Sequence, residues 1–272
     1  MGRGERQART TGEVSNDSQE KFTRETITWI HPWTPHLFSF RTTRPKGFRF
    51  TAGQSARLGV EKSDGSVAWR AYSMVSGPYD EFLEFYSIVV PNGEFTSELS
   101  RLKVGDTLLI DKQNHGFLTL GRFTGGSDLW LLSTGTGIAP FLSILADPTA
   151  WESFEHIVLV HSVRHANELA YRDTVEKFAE HELFGEFAHK LIYLPVVTRE
   201  PIAGHLSKRL TDLIPSGELE QQVGLNLDLD RSRIMLCGNP EMVNDTRKAL
   251  KAKGFQTSRQ SSPGQIAVEN YW

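Results

Sequence analysis

The chain has 272 residues, of which 39% are hydrophobic and 23% charged, with a formal net charge of −3 and a single cysteine. That length suits two globular domains, and the charge balance argues against a general nucleic-acid binder. One cysteine excludes an internal disulfide and an iron–sulfur cluster held by four cysteines of the chain, and it fits a reducing, cytoplasmic compartment. No apolar run approaches the roughly 20 residues that span a bilayer.

The opening segment, residues 1–20, is polar and has no secretory apolar region, so it is expected to be a disordered tail. From Phe22 to Thr124, short β-rich runs follow one another: "TITWI", "LFSFRT", "SARLGV", "WRAYSMV", "EFLEFYSIVV" and "DTLLI". The turns "PKG", "SDG", "SGPYD" and "PNG" separate them, which is the punctuation of a small antiparallel β-barrel. One helical piece, "TSELSRLK", interrupts the strands, with Thr96 or Ser97 as N-cap and Leu99 and Leu102 on one face.

After the glycine-rich "TGGSD" the pattern changes. "LWLLST" is a continuous apolar run, as expected of a strand buried on both faces. The helix "APFLSILAD", the strand "HIVLVHSV", the helix "NELAYRDTVEKFAEHEL", the strand "KLIYLPVVT", a further helical stretch, the strand "RIMLCG" and the helix "EMVNDTRKALKAKG" follow. Strands alternating with helices predict a doubly wound parallel sheet. The reading is therefore a barrel over residues 21–124 and an α/β domain over 125–272, whose last strand, "QIAVENYW", returns toward the barrel. Two large aromatics, Tyr271 and Trp272, end the sequence, placed there either to fill a core or to cover something flat.

In an open α/β sheet, ligands sit beyond the carboxyl ends of the strands. Three features fall there. "STGTGIAP" offers Gly135 and Gly137 for close backbone approach to a phosphate, although a tight strand–helix turn needs glycine as well. Cys237 in "MLCGNPEM" ends a strand, where a lone cysteine is also a common small core residue. Arg199 and Arg209 in "VTREPIAGHLSKRL" have the guanidinium forks that match a phosphate dianion, and scattered surface arginines are the alternative. In the barrel, "RAYSMV" places Arg70 and Tyr72 on one strand face and Ser73 on the other. His161 and His165 are four apart with no third ligand near them in sequence, so no metal site is expected.

In order, "RAYS", "YSIVV", "GEFTSEL", "TGTGIAPFLSIL", "VTRE…GHLSKR", "LCGNPEM" and "VENYW" resemble the ferredoxin/flavodoxin–NADP⁺ reductase family, most closely its bacterial branch. The likeness runs from residue 22 to 272. It implies an FAD-binding antiparallel β-barrel followed by an NADP-binding α/β domain. FAD would be held by Arg70, Ala71, Tyr72 and Ser73, by Tyr86, Ser87, Ile88 and Val89, and by Glu94, Phe95 and Thr96, with Thr134 and Thr136 at the dinucleotide boundary. Arg164, Thr198, Arg199 and Arg209 look like positions that contact NADP, and Cys237, Gly238, Asn239 and Met242 like those beside the nicotinamide. Ser73, Cys237, Glu269 and Tyr271 are the catalytic candidates. The family's chains end on Glu-x-Tyr, whereas here Trp272 adds one residue, which leaves open which ring covers the flavin.

The resemblance implies hydride transfer between NADP(H) and FAD and single-electron exchange with ferredoxin or flavodoxin, by a cytoplasmic monomer. The protein partner's acidic surface would meet Arg44, Lys46 and Arg49. Two alternatives are a free-flavin or ferric reductase and a non-catalytic dinucleotide-binding module.

Overall fold

The strand runs of the first half alternate in where their side chains go, and that alternation builds a closed sheet. In the computed structural model, which describes residues 20–259 and 261–270, β1 (Phe22–Pro32), β2 (Leu37–Thr43), β3 (Ser55–Glu61), β4 (Val67–Ser73), β5 (Phe82–Ile88) and β6 (Thr107–His115) pair in the order β4-β3-β6-β1-β2-β5. All of these pairings are antiparallel, and a Met74–Phe85 bridge joins β5 back to the end of β4. Phe40, Leu58, Leu83, Phe85, Leu108 and Ile110 fill the interior. Leu37 and Tyr86 belong instead to a second core shared with the following unit. The short helix α1 (Glu94–Leu99) starts two residues before the predicted "TSELSRLK", and its N-cap is Gly93 rather than Thr96 or Ser97.

The second half forms a parallel sheet of β7 (Asp128–Thr134), β8 (His156–Val163), β9 (Leu191–Val197), β10 (Ser232–Gly238) and β11 (Ile266–Asn270), in the order β11-β10-β7-β8-β9. The chain steps from β7 outward to β8 and β9, then crosses to β10 and β11. The topological switch point is therefore the crevice at the carboxyl ends of β7 and β10. Both faces are covered, which is why β7 reads as an unbroken apolar run. Leu129 and Leu131 enter one core cluster, while Trp130 and Leu132 enter the other.

Around the sheet lie α2 (Ala139–Leu145), α3 (Pro148–Ser153), α4 (Arg172–Glu176), α5 (Leu210–Ser216), α6 (Glu218–Val223) and α7 (Pro240–Ala252). The helix predicted over "NELAYRDTVEKFAEHEL" is broken. A 3₁₀ turn at Ala166–Glu168 comes first, Tyr171 adopts a left-handed backbone (φ 63°), and only Arg172–Glu176 is α-helical before a second 3₁₀ turn. At the amino end of the sheet, buried Asp128 accepts hydrogen bonds from His156 (2.8 Å) and Arg231 (3.1 Å), and Arg231 also reaches Glu155 (2.9 Å). The guanidinium occupies the place a cation would take among these acids. No helix of the described residues is long and apolar enough to cross a membrane.

Candidate functional site

A cavity of about 350 Å³ opens at the end of β4, bounded by Arg70, Ala71, Tyr72 and Ser73, by Tyr86, Ser87 and Ile88, by Val90, Gly93, Glu94, Phe95 and Thr96, and by Thr136 from across the sheet. The Tyr72 hydroxyl lies 2.9 Å from Ser87 Oγ, which fixes its ring against Phe85 and Phe95. Burial pushes the Tyr72 phenol up to about 12 and lifts that of Tyr86 further, so both stay neutral at working pH. The buried Tyr86 hydroxyl has no hydrogen-bond partner among the described residues. Ser73 also borders this cavity, and its hydroxyl turns to the incoming β11.

That junction joins the two halves. Ser73 Oγ donates to Glu269 Oε2 at 3.1 Å, and Glu269 lies opposite Cys237 in the β10–β11 register. Burial raises the Glu269 carboxyl to about 7, and the Ser73 hydrogen bond only partly offsets the shift. Cys237 is fully buried. Gly137 lies so close to the end of β10 that a Cβ there would sit 2.4 Å from the Cys237 carbonyl oxygen, so the "TGTG" loop needs glycine to pack on this strand. Thr134 Oγ1 accepts from the Asn239 N–H at 3.0 Å, tying together the two strand ends that flank the crevice.

The arginines lie along the same carboxyl edge. Arg199 N–H donates to the Arg164 carbonyl (2.9 Å), and Thr198 bonds the Val163 carbonyl through both its N–H (2.9 Å) and its hydroxyl (3.0 Å), so the loops after β8 and β9 run side by side. Arg209 caps α5 on the loop after β9. Arg164, Arg199 and Arg209 are all exposed, and none of their guanidinium groups has a hydrogen-bond or ion-pair partner among the described residues.

Several predicted residues are held by further contacts. Val89 lies outside the cavity lining and donates its N–H to the His36 carbonyl, while the neighbouring Val90 and Gly93 line it. Met242 packs into the core with Trp130 and Leu236. Asn239 caps α7, its side chain accepting from the Glu241 and Met242 N–H groups. Thr134 spans the strand ends rather than lining the cavity. Arg44, expected on an acceptor-facing surface, spends its guanidinium on the carbonyls of Phe48, Pro78 and Asp80 and lies over Phe50. Tyr271 and Trp272 lie outside the described residues.

As a whole the cavity suits a flat aromatic group with a phosphorylated chain. Its walls are neutral rings and aliphatic groups, a cation stands at its rim in Arg70, and the first amides of α1 have no intrahelical partner. A Cβ on Gly93 would come within 2.6 Å of Thr96 Oγ1, the oxygen that accepts from the Val90 N–H, so a side chain here would disturb the turn at the rim.

Comparison with known proteins follows the same division. Residues 32–113 match the oxidoreductase FAD-binding domain family, and residues 131–248 match the oxidoreductase NAD-binding domain family. The chain is 45% identical to a ferredoxin–NADP reductase of Pseudomonas aeruginosa, over 90% of this chain and 95% of that one. It is 39% identical to a flavodoxin/ferredoxin–NADP reductase of Rhodobacter capsulatus, over 90% and 91%. A crystal structure of a ferredoxin NADP⁺ reductase from Neisseria gonorrhoeae, with bound FAD and NADP, superposes with a TM-score of 0.87 at 39% identity, covering 93% of this chain and all of that one.

Proposed function

The chain belongs to the ferredoxin/flavodoxin–NADP reductase family, and on that premise we propose that it is an oxidoreductase carrying electrons between NADP(H) and ferredoxin or flavodoxin through FAD. The observation that carries this reading is the Ser73–Glu269–Cys237 junction. It brings the rim of the barrel cavity within one hydrogen bond of the switch point of a dinucleotide-binding sheet.

The residues fit FAD, which when bound supplies the exchange between a two-electron hydride and single electrons. Tyr72 and Tyr86 serve as its neutral aromatic walls, with Ser87 and Ile88 beside them, and Ala71 leaves room for it. Arg70 and the amides of Glu94, Phe95 and Thr96 take the phosphates. Glu94 itself is turned to Lys62 (2.7 Å), which keeps its carboxylate neutralised. Thr136 bounds the cavity from the dinucleotide side. Arg199 and Arg209, with Arg164 and Thr198, clamp the 2′-phosphate that distinguishes NADP from NAD, because guanidinium forks match its oxygens and these have no other partner among the described residues. Cys237 and Gly238 form the floor beneath the nicotinamide. Glu269 holds a proton near neutrality and passes it by way of the Ser73 hydroxyl. Tyr271 and Trp272, which follow Asn270 in sequence, are assigned to covering the flavin. The flavin-binding and dinucleotide-binding units divide at residue 125, and the enzyme works as a cytoplasmic monomer.

Stopped-flow mixing of FAD-loaded protein with NADPH tests this reading. NADPH is expected to bleach the flavin absorbance faster than NADH does, and reduced protein is expected to be reoxidised by ferredoxin or flavodoxin faster than by free flavin or ferric chelates. Failure of both pyridine nucleotides to bleach the flavin would leave only a dinucleotide-binding module. Preference for the small acceptors would leave a free-flavin or ferric reductase.

A further inference from the structure

Tyr171 stands out because a bulky residue holds a left-handed backbone, φ 63°, a conformation that costs strain and is usually given to Gly, Asn or Asp. It is also 5% exposed, so nothing about solvent contact explains its retention. Its surroundings do. The side chain leaves the dinucleotide-binding unit and lies on the outer face of the barrel, over two cross-strand pairs of β2 and β5, Ser39–Tyr86 and Arg41–Glu84.

The Tyr171 hydroxyl donates to Glu84 Oε1 at 2.8 Å and also hydrogen-bonds with Ser39 Oγ. Glu84 is 5% exposed and is paired on its other oxygen with Arg41 at 2.7 Å. Trp33 Nε1 donates to the same Ser39 hydroxyl at 2.8 Å. Every member of this network except Tyr171 comes from the barrel. The Tyr171 ring lies 5.0 Å from Trp33 on one side and 5.4 Å from Tyr86 on the other, edge to face. Tyr86 is a wall of the flavin cavity, and its own hydroxyl finds no partner among the described residues. Packing against Tyr171 and the apolar core, not a hydrogen bond, therefore sets the orientation of that wall.

The segment leading to Tyr171 begins at Arg164 of the proposed phosphate clamp and is tightly stitched. Glu168 accepts from the N–H groups of Arg164 (2.9 Å) and His165 (3.1 Å), and Glu200 accepts from that of Ala166 (2.9 Å). One short stretch thus runs from the nucleotide edge of the sheet to the flavin wall. A helix through residue 171 would carry the side chain along α4. The left-handed turn sends it across the domain boundary instead.

We propose that Tyr171 is a positioning residue: it keys the dinucleotide-binding unit onto the barrel and, through Tyr86, sets one wall of the flavin cavity. The proposal rests on the reductase reading above and adds to it a residue outside both binding sites. Reacting atoms held by two different units are sensitive to small relative displacements, and a misplacement on the order of 1 Å can cost up to about a hundredfold in rate.

The test compares Tyr171→Phe, Tyr171→Asn and the milder Ser39→Ala, all loaded with FAD. Asparagine tolerates the left-handed backbone, so Tyr171→Asn removes the ring without adding strain. Two readouts are taken: the visible circular dichroism of bound flavin, and the limiting flavin-reduction rate at saturating NADPH set beside the NADPH KM. Expected are an altered flavin dichroism and a limiting rate lowered about tenfold in Tyr171→Asn, a smaller fall in the other two, and a KM within about twofold throughout, since the arginine clamp is untouched. Unaltered dichroism and rate in all three variants, with only thermal stability reduced, would overturn the proposal and leave Tyr171 as interface packing. The dichroism needs no turnover. A protein that NADPH does not bleach would defeat the reductase reading while this comparison still decides the role of Tyr171.

Discussion

The flavin cavity and the arginine edge are built on opposite principles. The cavity is made by packing: its phenols are neutral, Tyr72 is tied to Ser87, and its polar contacts cross between units at Ser73–Glu269. The arginine edge is made by charge. Arg164, Arg199 and Arg209 are exposed and hold no partner among the described residues, while only the backbone beneath them is fixed. A ligand retained through turnover suits walls that exist before it binds. A ligand that must leave each cycle suits side chains that cost little to release.

The sharpest break in this comparison comes from the charged side. Arg209→Ala is expected to raise the NADPH KM by about ten- to a hundredfold, corresponding to the loss of roughly 1.5–3 kcal/mol from hydrogen bonds to a charged group. The NADH KM, the flavin spectrum and the thermal midpoint should stay unchanged, because the side chain is exposed and has no partner among the described residues. Added salt should weaken NADPH binding in the unmodified protein and less so in the variant. Parallel losses for NADPH and NADH would remove Arg209 from the 2′-phosphate site.

The interior between the two edges contains two buried groups that titrate in opposite directions. Glu269 is raised from 4.5 to about 7, so across that window the native state binds more protons than the unfolded chain, and its contribution to stability is lost as pH rises. His161, fully buried with Nε2 3.1 Å from the Gly135 carbonyl, is lowered by burial from 6.5 to about 4. Its contribution is lost as pH falls through that window. The two slopes oppose each other where the windows overlap, so Glu269→Gln should unmask the histidine. In FAD-stripped protein, the melting temperature of the variant relative to the unmodified chain should climb from pH 5 and level off near about pH 8. A gap that does not change with pH would mean that Glu269 ionises at its ordinary value.

The same contrast explains what could be read from sequence. Strands β7, β8 and β10 were legible because burial on both faces leaves continuous apolar runs, and the barrel strands because turns such as "PNG" and "SDG" punctuate them. Arg199 and Arg209 were visible as residue types, but their lack of partners was not. Arg44 shows the converse, since nothing local reveals that three carbonyls consume its guanidinium. The helix expected over residues 167–183 follows local propensity, which the barrel overrides at Tyr171 through partners 87 and 132 positions away. Ser73 and Glu269 are 196 positions apart, so only the resemblance placed them in one site. Val90 and Gly93 went unnamed although the signal was present. The tight turn that aims them at the cavity has Asn92 at φ 58°.

One feature of the cavity does depend on charge, and it yields the smallest expected effect. Glu94 opens α1 at the rim where the phosphates of FAD are assigned, an unfavourable place for a second anion. Lys62 answers it with a 2.7 Å contact that holds the Glu94 carboxyl below its usual range. Both side chains are solvated, so the pair contributes little to folding. Its consequence should appear in cofactor retention. Lys62→Ala is expected to weaken FAD binding slightly at low salt, with the loss shrinking as ionic strength rises. Glu94→Gln should restore retention in the Lys62→Ala background, because it removes the anion that Lys62 screens. If the double variant binds FAD no better than Lys62→Ala alone, the lysine acts on the cofactor directly, and the cavity is more electrostatic than its walls suggest.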